Sequence, residues 1–205
     1  MTTFLLIRHA SHDLMGRTVA GWMPGVHLND FGRVEAERLA DRLVTSPIDS
    51  VYSSPLNRSI ETARPIAARI GCDIEIRETL GEFHFGSSGR SLADLEGSGH
   101  WSELNARRSD GHPPGGESTL EVQHRVLMEL GRIRAAYPDS TVVVVSHGDV
   151  LKAAVAHVLG LHLDYLQRFE LAPASVTRIV WNDGGPLLLG LNETAAVASP
   201  VATPQ

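Results

Sequence analysis

The sequence predicts an α/β fold, a mainly parallel sheet with helices on both faces. Short apolar runs of strand length alternate with longer stretches of helical periodicity, the pattern of strands joined by helical crossovers. The first run, Phe4-Leu5-Leu6-Ile7, is apolar at every position, so both of its faces are expected to be covered. The clearest run, Thr141-Val142-Val143-Val144-Val145, is β-branched throughout and too short for a core helix.

Taken in order, residues 4–7 form the first strand. Asn29-Asp30 then offers an N-cap to a helix whose apolar positions Phe31, Val34, Leu39 and Leu43 recur at helical spacing. Residues 50–53 read as a second strand. Ser54 before Pro55 reads as an N-cap with a first-turn proline, opening a helix that reaches Ile70 and stops at Gly71. Pro65 inside that helix is expected to end or kink it. Residues 78–116 are dense in glycine and predict turns around short helices, inserted over one end of the sheet. Ser118-Thr119-Leu120-Glu121 is a capping box for a helix reaching about Ala136. After the valine strand, residues 148–159 return as a helix closed by Gly160. Residues 175–181 and 186–191 are strands flanking an Asn182-Asp183-Gly184-Gly185 turn. No linker divides the chain, so a single domain is expected over 1–193, followed by a loose tail over 194–205.

Composition narrows the function. At 205 residues, 42% apolar and 20% charged, the chain is of ordinary globular make-up and needs no staples to hold a core. Its one cysteine, Cys72, excludes an intrachain disulfide framework and is read as inert. A net charge of −6 argues against a nucleic-acid partner held by phosphate neutralisation. The N-terminal apolar run is closed at once by Arg8-His9, too short for a signal peptide or a membrane span. The expected setting is therefore the cytoplasm, with no membrane partner. The oligomeric state stays open, a homodimer included.

In an open α/β sheet, ligands bind beyond the carboxyl ends of the strands. That rule singles out Arg8-His9 after the first strand, Arg58 soon after the second, and Ser146-His147-Gly148 after the valine strand. Nearly all other arginines fall on predicted helices and look like solvated face charges. Two arginines and two histidines gathered at one edge are costly to bury unless an anion meets them. Phosphate is the natural match, because guanidinium forks pair with its oxygens, and an imidazole can act as nucleophile toward phosphorus. Other hydrolase and phosphate signatures fail. There is no Gly-x-x-x-x-Gly-Lys loop, no Gly-x-Ser-x-Gly elbow and no arginine six residues after Cys72. No metal-ligand spacing occurs, so no metal and no cofactor are expected.

These residues resemble a family. Leu5-Leu6-Ile7-Arg8-His9, Ser53-Ser54-Pro55-Leu56-Asn57-Arg58-Ser59-Ile60-Glu61-Thr62-Ala63 and Val145-Ser146-His147-Gly148 together are similar to the motifs of the histidine phosphatase superfamily, in its phosphoglycerate-mutase-like branch. Leu80-Gly81-Glu82-Phe83 resembles the family's acid loop, and Pro114-Gly115-Gly116-Glu117-Ser118 its Gly-Glu-Ser turn. The likeness runs from about Thr3 to Asn192. It implies a three-layer α/β/α fold, with His9 as the nucleophile that takes the phosphoryl group. Arg8, Arg58 and His147 would clamp the non-bridging oxygens, and Glu82 would be the general acid. His9 must then be neutral, its other nitrogen fixed by a partner such as a backbone carbonyl, and Glu82 must be protonated at the start.

The chain also departs from the family. Arg8-His9-Ala10 stands where the family has Arg-His-Gly, and Ser11-His12-Asp13-Leu14-Met15 lacks the usual Glu-Thr and asparagine. His12 or Thr18 could supply the missing phosphate contact. Gly21, opening the segment 21–28, is expected to contribute at the pocket mouth, with Trp22 either touching substrate or packing the loop. Gly148 is a further backbone contact. Surface or packing roles are expected for His84 and His100, no role for His124, His157 and His162, and an arginine-orienting role for Glu61. Three functions remain: a phosphatase on a small phosphorylated metabolite, a phosphomutase on the same scaffold, or a catalytically weak domain that binds a phosphorylated ligand. The modest middle segment favours water as the acceptor.

Overall fold

The computed structural model describes residues 1–86, 88–97 and 99–194. Strands β1 (Thr2–Arg8), β2 (Ser50–Ser53), β3 (Ile74–Ile76), β4 (Thr141–Ser146), β5 (Val176–Asn182) and β6 (Gly185–Glu193) form one sheet in the order β3-β2-β4-β1-β5-β6. The first four of that row are mutually parallel, and β5 and β6 close the sheet as an antiparallel hairpin. The helices are α1 (Asp30–Leu43), α2 (Asn57–Ile70), α3 (Leu92–Glu96), α4 (His100–Ala106), α5 (Thr119–Ala136) and α6 (Gly148–Leu159). Short 3-10 helices lie at Glu78–Leu80 and Leu163–Arg168.

Strand alternation divides the core into two layers. Leu5, Ile7, Val143 and Val145 face Ala36, Leu39 and Leu43 of α1 and Ala63, Ile66 and Ala67 of α2. Phe4, Leu6, Val142 and Val144 face Val122, Val126, Leu130 and Ile133 of α5 and Val150, Leu151 and Ala154 of α6. Helices therefore cover both faces, giving a three-layer α/β/α fold. All four valines of β4 are fully buried. At about 1.5–3 kcal/mol for each buried valine-sized side chain, that strand anchors both layers.

Caps explain the helix limits. The Asn29 side chain accepts from the Gly32 amide at 2.8 Å to start α1. Ser118 and Glu121 form the reciprocal capping box of α5. Gly71 and Gly160 take left-handed backbone, φ 80° and 61°, to end α2 and α6.

Several expectations are corrected. Phe31 and Val34 do not face the core; α1 buries Gly32, Ala36, Leu39, Ala40 and Leu43 instead. The reason lies at Gly32, where a Cβ would fall 2.0 Å from the Ser11 carbonyl oxygen. The helix presses its backbone onto the loop after β1, so its small side is the inner one. Ser54 does not cap α2. The N-cap is Leu56, without a side-chain bond, and Pro65 does not end the helix, which runs on to Ile70. Strand β3 and the Leu163–Arg168 turn escaped the sequence reading. The expected tail, from residue 195 onward, lies outside the described residues. No helix among the described residues is long and apolar enough to cross a membrane.

Candidate active site

The site follows from the strand order. β2, β4 and β1 are adjacent and parallel, so their carboxyl ends stand abreast, with Arg8 beside Ser146 and Ser53 beside Val145. The ladder continues one residue further: His9 N donates to Ser146 O at 2.9 Å, and Ser54 N to Val145 O at 3.0 Å. That fixes the backbones of His9 and His147 at the sheet edge, and their rings lie 5.2 Å apart. His12 lies on another side of His9, again with ring centres 5.2 Å apart.

The arginines arrive from β1 and from the first turn of α2. Arg58 is 1% exposed, and its Nη2 donates to Gly21 O at 2.8 Å and lies 3.8 Å from Glu82 Oε2. Its Nε and Nη1 have no partner, nor does Nε of Arg8, whose Nη1 donates to Leu171 O at 2.5 Å. Buried guanidinium N–H groups left unpaired are costly, and an oxyanion seated among them removes that cost.

Protonation states can be read from the partners. His9 Nδ1 is 2.9 Å from the Ala10 carbonyl. A carbonyl only accepts, so Nδ1 carries the proton and Nε2 keeps its lone pair. His147 Nε2 lies 2.7 Å from Ser54 Oγ, the role that hydroxyl takes instead of capping α2. Burial, then the charge of Arg58, holds both imidazoles well below the usual histidine value, so they are neutral at pH 7. His12 Nδ1 accepts from the Leu14 amide at 3.3 Å, which places its proton on Nε2. Burial, with Arg58 and Arg8, lowers His12 to about 4. Glu82 moves the other way. Burial raises it to about 7 against the opposing pull of Arg58, and the Asp149 charge adds to the rise.

Two hollows meet at Arg8 and Glu82. One, of about 190 Å³, is lined by His9, His12, Thr18, Gly21 and Arg58 together with Phe85 and Trp101 from the middle segment. The other, of about 280 Å³, is lined by Gly148, Asp149, Lys152, Gln167 and Glu170. The structure thus brings together His9, Arg8, Arg58, His147 and Glu82. It places His12, Thr18 and Gly21 in the first hollow and Gly148 in the second. The ligand atoms of His9, Glu82 and His147 lie within 4.8 Å of one another, a spacing that could hold a metal ion. Arg8 and Arg58 beside them favour an anion there over a cation.

Other expectations change. Glu61 orients no arginine: its carboxylate takes His27 Nδ1 at 2.5 Å and the Leu28 amide at 2.9 Å, tying down the end of the 21–28 segment. Trp22 packs the loop, stacking on His84 with centres 4.4 Å apart. His124, His157 and His162 are exposed; the His100 side chain lies outside the described part. The reading of helical arginines as solvated charges fails for Arg125, bonded to the acid loop, and Arg108, in the turn after α4, is likewise buried, 2% exposed and bonded to Asp149. Helical periodicity carries no signal for Arg125, which an irregular segment draws inward, nor for Arg108, a turn residue held by Asn105 of α4 and Asp149 of α6.

A neutral buried histidine with an unprotonated Nε2, two guanidiniums and a carboxyl that keeps its proton up to about pH 7, on this three-layer scaffold, define an enzyme of phosphate esters. The model of the histidine phosphatase superfamily, branch 1, matches residues 4–194, and the chain belongs to that superfamily. A putative phosphoserine phosphatase 2 from Hydrogenobacter thermophilus is 28% identical over 94% of this chain and 96% of its own. A probable phosphoglycerate mutase, GpmB, from Salmonella typhi is 32% identical over 84% and 82%. Among solved structures, Bacillus stearothermophilus YhfR superposes with a TM-score of 0.90 at 27% identity, over 95% of this chain and 98% of its own. The phosphoserine phosphatase from Entamoeba histolytica, in complex with 3-phosphoglyceric acid, gives 0.84 at 26% identity over the same shares.

Proposed function

We propose that the protein is a metal-independent phosphatase that hydrolyses a small phosphomonoester through a phosphohistidine on His9. The observation that carries this reading is the Ala10 carbonyl on His9 Nδ1, which leaves Nε2 as the only nitrogen with a free lone pair. In the first step Nε2 attacks phosphorus, the bond from phosphorus to the ester oxygen breaks, and Glu82 gives that oxygen its proton. In the second step Glu82, now a carboxylate, takes a proton from water. The water oxygen attacks phosphorus, the N–P bond breaks, and phosphate leaves with His9 restored. Arg8, Arg58 and the neutral His147 hold the three equatorial oxygens, where charge gathers as the group moves. His12, presenting Nε2–H, and Thr18 act as uncharged donors in place of the family's asparagine. Backbone groups of Gly21 and Gly148 complete the substrate contacts.

The mutase reading draws on the similarity to the probable phosphoglycerate mutase. Water is favoured as acceptor because the middle segment, with only the short helices α3 and α4, offers little to exclude it. The test is phosphate release from an aryl phosphate with chelator present. The native chain is expected to turn over and His9→Ala to be inactive. Equal release by both proteins would remove the proposal, and, on a phosphomonoester carrying a second hydroxyl, migrated phosphate with little free phosphate would make the protein a mutase.

A further inference from the structure

Glu82 stands in an irregular loop, so whatever aims its carboxyl must come from elsewhere in the fold. Two donors converge on its backbone carbonyl: the Trp22 indole Nε1 at 2.6 Å and Arg125 Nη2 at 3.1 Å. Arg125 lies in the second turn of α5, and its Nη1 donates to Thr79 O at 2.7 Å, so one guanidinium holds the loop at both 79 and 82. A bidentate pair with Glu117 fixes that guanidinium in turn, Nε to Oε2 at 2.9 Å and Nη2 to Oε1 at 2.7 Å. Oε1 of Glu117 also accepts from the His84 amide at 3.0 Å. The same ion pair thus binds the chain on both sides of Glu82 without touching its carboxyl, whose Oε1 accepts from the Phe83 amide at 2.9 Å.

We propose that Arg125 is a positioning residue for the general acid, holding the carbonyls of Thr79 and Glu82 so that the Glu82 carboxyl meets the leaving-group oxygen. The inference rests on the proposed role of Glu82 as acid. It requires a planar group with donors on three nitrogens, which lysine cannot supply. The charged and titratable groups facing the Glu82 carboxyl are Arg58 at 3.8 Å, His147 at 3.6 Å, His9 within 4.8 Å, Arg8 and Asp149. None is bonded to Arg125, though its charge reaches His147 through space; Arg125→Lys keeps that charge, so a loss shared by Arg125→Gln and Arg125→Lys acts on the acid through the loop.

A misplaced acid has a signature that general loosening lacks. An alkoxide leaves only with a proton, whereas a nitrophenolate leaves without one. The experiment compares Arg125→Gln, Arg125→Lys and Glu82→Gln with the native chain on an alkyl phosphate and on nitrophenyl phosphate. Glu82→Gln is expected to lose about 100-fold or more on the alkyl ester. Arg125→Gln and Arg125→Lys are expected to lose about 10-fold or more in kcat/KM there and to stay within about 3-fold on the aryl ester, whose kcat/KM reports the first step alone, while Glu82→Gln lowers kcat on both esters because the second step needs its carboxylate as base. The alkaline limb of kcat/KM for Arg125→Gln is expected to move to lower pH, as a freed Glu82 meets water. Should Arg125→Gln not fold, Glu117→Gln makes the same comparison with the arginine in place but its brace removed. Equal losses on both esters, or none on either, would overturn the inference. Full alkyl turnover by Glu82→Gln would instead remove the acid assignment, and the role of Arg125 with it.

Discussion

The imidazole Nδ1 of His9 lies 2.9 Å from the carbonyl oxygen of Ala10, the next residue in the chain. The bond uses main chain alone on the accepting side, so it survives the change from the family's glycine to alanine. The Ala10 amide in turn donates to Thr62 Oγ1 at 2.9 Å, and that hydroxyl donates to Arg58 O at 2.7 Å. His9 and Arg58, the proposed nucleophile and phosphate-binding arginine, therefore share one buried thread. Serine at 62 keeps the thread and valine breaks it. Thr62→Val is expected to lower kcat by about 10-fold, the worth of a buried hydrogen bond, with Thr62→Ser near native.

Activity should fall toward alkaline pH. The proposed acid, Glu82, works only when protonated, and burial raises it to about 7. kcat/KM for an alkyl ester is expected to be highest below about pH 7 and to drop tenfold per unit well above it. Because His9 and His147 are pushed well below their usual value, no acid limb is expected near pH 6.5. A pH profile of kcat/KM checks both arms.

The same shift has a consequence for stability. Glu82 binds its proton more tightly folded, at about 7, than unfolded, at 4.5, so folding stability declines as pH rises through that window. Glu82→Gln removes the decline. The variant is expected to be more stable than the native chain at pH 8 by on the order of 3 kcal/mol, and no more stable at pH 4. Thermal melts at the two pH values decide it.

His12, in the hollow with Thr18, is proposed to stand in for the family's usual phosphate contact. A neutral N–H donor to a phosphate oxygen is worth about 1.5–3 kcal/mol, so His12→Ala is expected to reduce kcat/KM by about 10- to 100-fold. His12→Asn restores a donor and is expected to recover most of it. Steady-state kinetics on one substrate suffices, and an unchanged His12→Ala would place the donor elsewhere.

Gly32→Ala tests the fit of α1 against the loop after β1. Its Cβ would fall 2.0 Å from the Ser11 carbonyl, a backbone atom that cannot swing aside. A loss of about 1–3 kcal/mol in denaturant unfolding is expected, as for other overpacked sites.

Much of this was legible in the sequence because it rests on local rules. The apolar runs gave β1 and β4, the capping box gave α5, and the strand-end rule gathered Arg8, His9, Arg58 and His147. What escaped depends on partners distant in sequence. β3 spans only Ile74–Ile76, too short to show a period. Ser54 carries the signature of a cap, yet its hydroxyl serves His147, 93 residues away. Phe31 and Val34 satisfy helical spacing, but the inner side of α1 was decided by Gly32 meeting Ser11. Arg125 looks like a surface charge until the loop carrying Glu82 folds against it.

The most direct test of the whole account is to trap the phosphoryl group on the protein. The native chain is mixed briefly with an isotope-labelled phosphomonoester, quenched, and mapped for label. The account predicts acid-labile, base-stable label on His9, present whether or not chelator is added and absent in His9→Ala. Turnover persisting in His9→Ala, or label on another residue, would contradict it.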